Sequence, residues 1–164
     1  MVAVMLHLGM LRLRLRLRHL FVIASFFVAT LYALPAAAQE IGVRAGASAN
    51  PDQFYFGGHG ETPALFDRLH FRPNIEIGVG NNVTLVAFNI EFAYHIPTGR
   101  NWYTYVGAGP ALNMIRFNGN TNSEGGFNLL LGVQHNSGLF AEIKAGLADS
   151  PDFKVGVGYA VRLR

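Results

Sequence analysis

The stretch "QHNSGLFAE" holds the residues best suited to chemistry. His135 and Ser137 stand in a His-x-Ser spacing. A serine hydroxyl becomes a nucleophile when an imidazole within hydrogen-bond reach takes its proton, and that imidazole needs an acid to orient it. Glu142 and Asp149 follow as candidates for the acid. A plainer reading competes: Asn-Ser-Gly between two alternating apolar runs is ordinary hairpin-turn chemistry. The plainer reading is the expectation, and no catalytic residue is assigned.

Other polar groups give weaker signals. His59, Glu61 and His70 cluster along the chain, with His95 further on. A metal site needs three or four such groups converging at ligand distance, and this spacing matches no zinc motif. The expectation is loop polarity, with no metal and no cofactor. "GVGNN" and "GAGP" are not phosphate loops, because no helix follows them. Glu76 and Glu91 could serve as an acid pair. Their many basic neighbours argue instead for salt bridges that hold both ionised.

The elements that position these residues are strands. In the closing stretch "DFKVGVGYAVRLR", Phe153, Val155, Val157, Tyr159, Val161 and Leu163 alternate with Lys154, Gly156, Gly158, Ala160 and Arg162. A period of two marks a β-strand with unlike faces. The pattern recurs in "EIGVRAGASA", "QFYFGGH", "NIEIGVG", "FNIEFAYHI", "WYTYVGAGPALNM", "FNLLLGVQ" and "LFAEIKAG", predicting eight strands. Turn chemistry separates them: "NPD", "GNN", "PTGRN", "NGNTNSEGG", "NSG" and "DSPD". Gly60–Pro73 reads as the one long connection, with room for a helical turn. The predicted class is all-β, an antiparallel up-and-down barrel.

The first 38 residues stand apart. Arg12, Arg14, Arg16 and Arg18 precede an uncharged apolar run from Leu20 to Leu34, and "PAAAQE" follows. Basic region, apolar region and small-residue exit form the layout of a cleavable signal peptide, with processing expected after Ala38. The apolar run is shorter than the roughly 20 residues of a spanning helix. Of the chain's 13 Lys and Arg, four lie in this leader, and none of its 10 Asp and Glu do. Residues 39–164 therefore carry 9 basic and 10 acidic groups, so the basic balance is no sign of nucleic-acid binding. They contain no cysteine. An exported domain of this size without disulfides must be held by its core or by a membrane.

Two eight-stranded barrels fit the alternation: a soluble one with a greasy interior around a lipid, or a membrane one with a polar bore. The polar face decides. It carries Gly42, Gly46, Gly57, Gly78, Gly107, Gly109, Gly132, Gly146, Gly156 and Gly158. Small residues suit a bore only just wide enough for side chains, whereas glycine weakens a strand that merely faces water. Arg44, Lys144, Lys154 and Arg162 share that face with Glu76, Glu91 and Glu142, near the charge balance a buried network needs. These seven are expected to form a lumen salt-bridge network. The opposite face has almost no charge and would form an apolar belt suited to acyl chains.

The opening "IGVRAGAS", the central "YVGAGPALN" and the closing "FKVGVGYAVRL", after a leader ending "PAAAQ", resemble the small outer-membrane β-barrel superfamily, the OmpA-like transmembrane domain and its relatives. The chain departs from that family in its last residues, Leu163-Arg164, where an aromatic residue is usual. The resemblance implies a bacterial outer-membrane location and a periplasmic N-terminus. It also implies contact with outer-membrane lipid or lipopolysaccharide and insertion by the barrel-assembly machinery. The expected role is structural or surface-interacting, through Asn118–Gly125 and Asp149–Asp152. The protein is expected to be monomeric and porin-like in build, without being a wide pore. Gly60–Pro73 then lies on the periplasmic side, where such barrels keep short turns; either the first hairpin is mispaired or this link plugs the mouth. Outer-membrane lipid A deacylases are also eight-stranded barrels with a His-x-Ser motif, so a lipid A-modifying hydrolase using His135, Ser137 and Glu142 is the alternative. A soluble periplasmic lipid-binding barrel is the other.

Overall fold

The structure is a computed structural model and describes residues 39–80, 83–117 and 120–163. The expected signal peptide, residues 1–38, lies outside the described residues. Eight strands follow in order: β1 Glu40–Ala49, β2 Gln53–Glu61, β3 Leu69–Gly80, β4 Val83–Pro97, β5 Trp102–Phe117, β6 Asn120–His135, β7 Leu139–Ala148 and β8 Phe153–Arg162. Each pairs antiparallel with the next, and β1 pairs with β8, so the sheet closes and leaves no free edge along its closed length. Glu40 faces Arg162 at the start of the closing seam, and Ala49 faces Phe153 at its end.

Alternation along the strands becomes inside and outside. On β8, Lys154 is 3% exposed while its neighbours Val155 and Val157 are 44% and 60% exposed. Phe54, Phe56, Ile90, Leu129, Leu131 and Val161 also point away from the bore. Tyr94, Trp102 and Tyr159 all face outward near the end that carries both termini. Tyr103 is turned inward instead, against His95.

Two sequence expectations need correction. The first hairpin is correctly paired, β1 on β2, but the link is only 62–68, because β3 begins at Leu69. "LHFRPN" is strand: His70, Arg72 and Asn74 continue the inward face of Glu76, and Phe71 packs outward on Phe92. Pro73 disguised it. Proline has no amide hydrogen to give, and the β2–β3 ladder stops one residue short of it, at His59 opposite Asn74. No helical turn forms in the link; Phe66 instead bridges Leu69 across a tight turn with Asp67 at positive φ. The second correction concerns Asn118–Gly125. Residues 120–125 are strand, the polar continuation of β6 paired with Leu112–Phe117; Asn118 and Gly119 lie outside the described residues.

The bore is filled by pairing large with small. Tyr105 lies directly across from Gly132, His59 from Gly42, Tyr55 from Gly46 and Phe140 from Gly158. At Gly132 a Cβ would run into the Tyr105 ring. The glycines on the polar face are thus the sockets that let aromatic rings lie flat across a narrow barrel. Gly132→Val is expected to cost about 1–3 kcal/mol through overpacking, measured as a lower unfolding temperature. Gly125→Val, whose Cβ meets nothing within 4 Å, is expected to leave that temperature unchanged.

Candidate functional site

The centre of the bore is an ionic cluster built from the strands' inward faces. Lys144 of β7 is its hub. Its Nζ donates to Glu76 Oε1 at 2.9 Å and to Glu91 at 2.9 and 3.1 Å, and lies 3.7 Å from Glu142. Lys154 donates to the other Glu76 oxygen at 2.7 Å. Arg44 donates to Glu142 at 2.7 Å and to Glu76 at 3.3 Å. Six of the seven residues proposed from the sequence therefore sit in one hydrogen-bonded group. The seventh does not. Arg162 stands at the rim, its side chain 56% exposed, 3.5 Å from Glu40. It is the last residue of β8 and lies beyond the closed interior.

Sequence reasoning missed further members. Arg72 is fully buried, stacked at 4.4 Å on Tyr105 and 5.2 Å from the Phe140 ring, with Glu142 at 3.8 Å and Glu61 at 3.7 Å. It was hidden by the misreading of Gly60–Pro73, although the period-two run His70, Arg72, Asn74, Glu76 was the signal available. With Arg72 and Glu61 included, the buried charges among the described residues are four cations, Arg44, Arg72, Lys144 and Lys154, against five carboxylates, Glu40, Glu61, Glu76, Glu91 and Glu142, of which Glu40 meets the half-exposed Arg162 at the rim. An amide chain completes the cluster. Asn128 donates to Asn89 at 2.8 Å, Asn89 to Asn74 at 2.7 Å and Asn74 to Glu91 at 2.6 Å. Tyr105 donates its hydroxyl to Glu142 at 2.9 Å.

The cluster is closed at both ends. Toward the β7–β8 turn, Asn113 donates to the Asp149 carbonyl at 2.7 Å, and Gln53 to the Val83 carbonyl at 3.0 Å. Toward the termini, Gln134 donates to Glu40.

His135 and Ser137 come together as their spacing suggests, with Nδ1 and Oγ 2.8 Å apart. The Ser137 backbone amide also donates to Nδ1, at 3.1 Å. Both contacts fold the serine back onto its own turn, and the imidazole rests edge-on against Trp102. The candidate acids are elsewhere. Glu142 is buried in the bore and held by Arg44 and Tyr105, and Asp149 lies at the opposite end, in the β7–β8 turn. Among the described residues no carboxylate reaches His135 to orient it.

The four other candidates divide. His59 stays in the bore, against Phe140 and 3.3 Å from Arg72. Glu61, His70 and His95 converge at the mouth that holds the termini, with one ligand atom from each inside a 4.8 Å circle. A cavity of about 360 Å³ opens over them, lined also by Glu40, Tyr103 and Arg162.

The barrel is similar to the crystal structure of the N-terminal β-barrel domain of Pseudomonas aeruginosa OprF. The TM-score is 0.60 at 17% sequence identity, over 76% of this chain and 97% of that one. It is similar also to the crystal structure of Neisserial surface protein A (NspA), with a TM-score of 0.59 at 13% identity, over 76% of this chain and 95% of that one. The likeness shows the fold, a small closed β-barrel shared with both. No protein-family model and no curated protein matches the sequence.

Breaking a buried ion pair by removing one partner leaves an uncompensated charge, at about 3–5 kcal/mol. Glu91→Leu, which strips Lys144 of two contacts, is expected to destabilise the detergent-purified barrel by a free energy of that order, read as a lower unfolding temperature. The double variant Glu91→Leu with Lys144→Met is expected to lose less than the sum of the single changes, because neither partner is then stranded.

Proposed function

We propose that this chain is a small outer-membrane β-barrel protein with a filled polar bore, acting as a structural or surface-interacting component and not as a wide pore. The inversion of its faces carries the reading: Lys144, Glu76 and Glu91 are buried at the axis, while valine, leucine, isoleucine and phenylalanine stripes face outward around the wall. An apolar belt of this kind is costly in water and is the required surface in lipid. The likeness to two outer-membrane barrels supports the location. Export would proceed through the leader, with processing after Ala38 and insertion by the barrel-assembly machinery.

The packed centre argues against a wide channel, since Arg72, Lys144, Glu76 and Glu91 fill the cross-section with side chains at most 1% exposed. With the termini in the periplasm, the β5–β6 extension and the β7–β8 turn point away from the cell. The exposed Asn120, Thr121, Asn122 and Ser123 would be the groups offered to lipopolysaccharide headgroups or other surface partners.

Fractionation followed by gel migration tests the reading. The protein is expected to stay with outer membranes through a carbonate wash and to run at different positions when heated and unheated. Release by carbonate would overturn membrane insertion, and identical migration would overturn a closed barrel. Val157→Arg, placed in the middle of the outer band, is expected to cost about 2–4 kcal/mol of stability in lipid, read by denaturant titration in vesicles.

A further inference from the structure

The mouth at the terminal end brings together three side chains of metal-ligating type, Glu61, His70 and His95, of which Glu61 also touches the ionic cluster through Arg72. Glu61 ends β2, His70 is the second residue of β3, and His95 lies near the end of β4. Adjacent strands bring them to one level. His70 Nδ1 is 3.6 Å from one Glu61 oxygen, and His95 Nε2 is 3.5 Å from the other. The rings of His70 and His95 stack at 4.0 Å, and Tyr103 backs His95 at 4.5 Å.

Two observations go beyond proximity. Glu61 is 3% exposed, yet its Oε2 has no hydrogen-bond partner, and neither does the buried Nε2 of His95 that faces it. A buried carboxylate oxygen and an imidazole nitrogen that face each other at 3.5 Å without a well-formed hydrogen bond are an arrangement that a shared cation, like a proton on Nε2, satisfies. In addition, His70 Nδ1 lies 2.9 Å from the Thr62 carbonyl. Donation of that N–H leaves Nε2 as the nitrogen with a lone pair, which is how backbone carbonyls orient metal-bound histidines.

We propose that Glu61, His70 and His95 form a binding site for a divalent transition metal of the zinc type at the terminal mouth of the barrel. Two imidazoles and one carboxylate are a ligand set zinc accepts, with ligand bonds of about 2.0–2.2 Å and a fourth position left to water. The fourth position would open into the cavity that Glu40 and Arg162 help line. Closing the set from 4.8 Å to the ligand separations of a tetrahedral site, about 3.4 Å for such bonds, takes rotation of His95 and a swing of His70 that presents Nε2, since the nitrogen now 3.6 Å from Glu61 is the Nδ1 that faces Thr62. Both are half-buried at the rim rather than locked in the bore. Arg72, 3.7 Å from Glu61 Oε2, opposes the metal's charge and places the site among weaker, exchangeable ones. The proposal depends on the closed barrel and on nothing about where the barrel resides.

The test uses protein purified without a histidine tag and treated with chelator, with zinc chloride as the probe. Calorimetry is expected to show one saturable zinc per chain, and zinc is expected to raise the unfolding temperature. His70→Ala and His95→Ala should each weaken binding by at least about tenfold and abolish the thermal shift. His135→Ala, which removes a rim histidine outside the cluster, should change neither. Heat-modifiable migration shows which variants are folded; should His95→Ala fail to close, His70→Ala decides. Absence of zinc binding by the folded parent would overturn the proposal. So would binding that survives both cluster substitutions, or binding lost with His135→Ala.

Discussion

A closed eight-stranded sheet has one narrow interior, and here that interior is charged. The rest of the structure depends on neutralising it. Four buried cations and five buried carboxylates are drawn from β1, β2, β3, β4, β7 and β8, and β5 and β6 add Tyr105, Asn89's partner Asn128 and Gln134. Every strand is therefore tied to the axis. Replacing such a cluster wholesale with well-packed apolar groups is often neutral in energy, so stability alone is a poor explanation for it. Register is a better one. A slip of one residue along any strand exchanges its faces. It would push Lys144, Glu91 or Arg44 into the apolar belt and leave their partners stranded. The cluster penalises every register but the observed one.

The same constraint explains the glycines. A bore that must hold Arg72 between Tyr105 and Phe140 has no room for a second layer of side chains opposite the rings. Gly132 and Gly158 sit at those positions by direct cross-strand pairing. Large and small residues alternate around the barrel, so the network is held by packing as well as by charge.

Most of this was legible in the sequence because period two is a strong signal in long strands. Glycine on the polar face separated a packed bore from a solvated surface. What the sequence concealed has specific physical causes. Pro73 mimics a loop boundary, yet it costs nothing where a ladder already ends; its misreading hid Arg72, Asn74 and the start of β3. "NTNSEGG" has loop composition but is strand, because hydrogen bonding to β5 does not require apolar side chains. Arg162 obeys the alternation and still misses the network, since alternation tells which face a residue takes and not how deep it lies. Convergence of Glu61, His70 and His95 depends on the stagger between three strands, which spacing along the chain cannot express.

Depth is also where the two ends of the barrel part company. The outward face of β6 runs Val133, Leu131, Leu129, Phe127 and then changes to Gly125, Ser123 and Thr121, while its hydrogen bonding to β5 continues without a break. Beyond Gly126, β6 has no partner on the β7 side. On β6 the apolar belt therefore stops at Phe127 although the strand does not, and residues 120–124 add a polar edge strand, open on one side, to Met114, Ile115 and Phe117 of β5. At the other end, belt and strands finish together, at Trp102, Ile96 and Val161, and Glu40, Glu61, His70 and His95 line the mouth. A barrel built this way offers one end as an exposed ribbon and its terminal end as a lined cavity. On the two proposals made above, contacts with other macromolecules would belong to the first, and coordination of small species to the second.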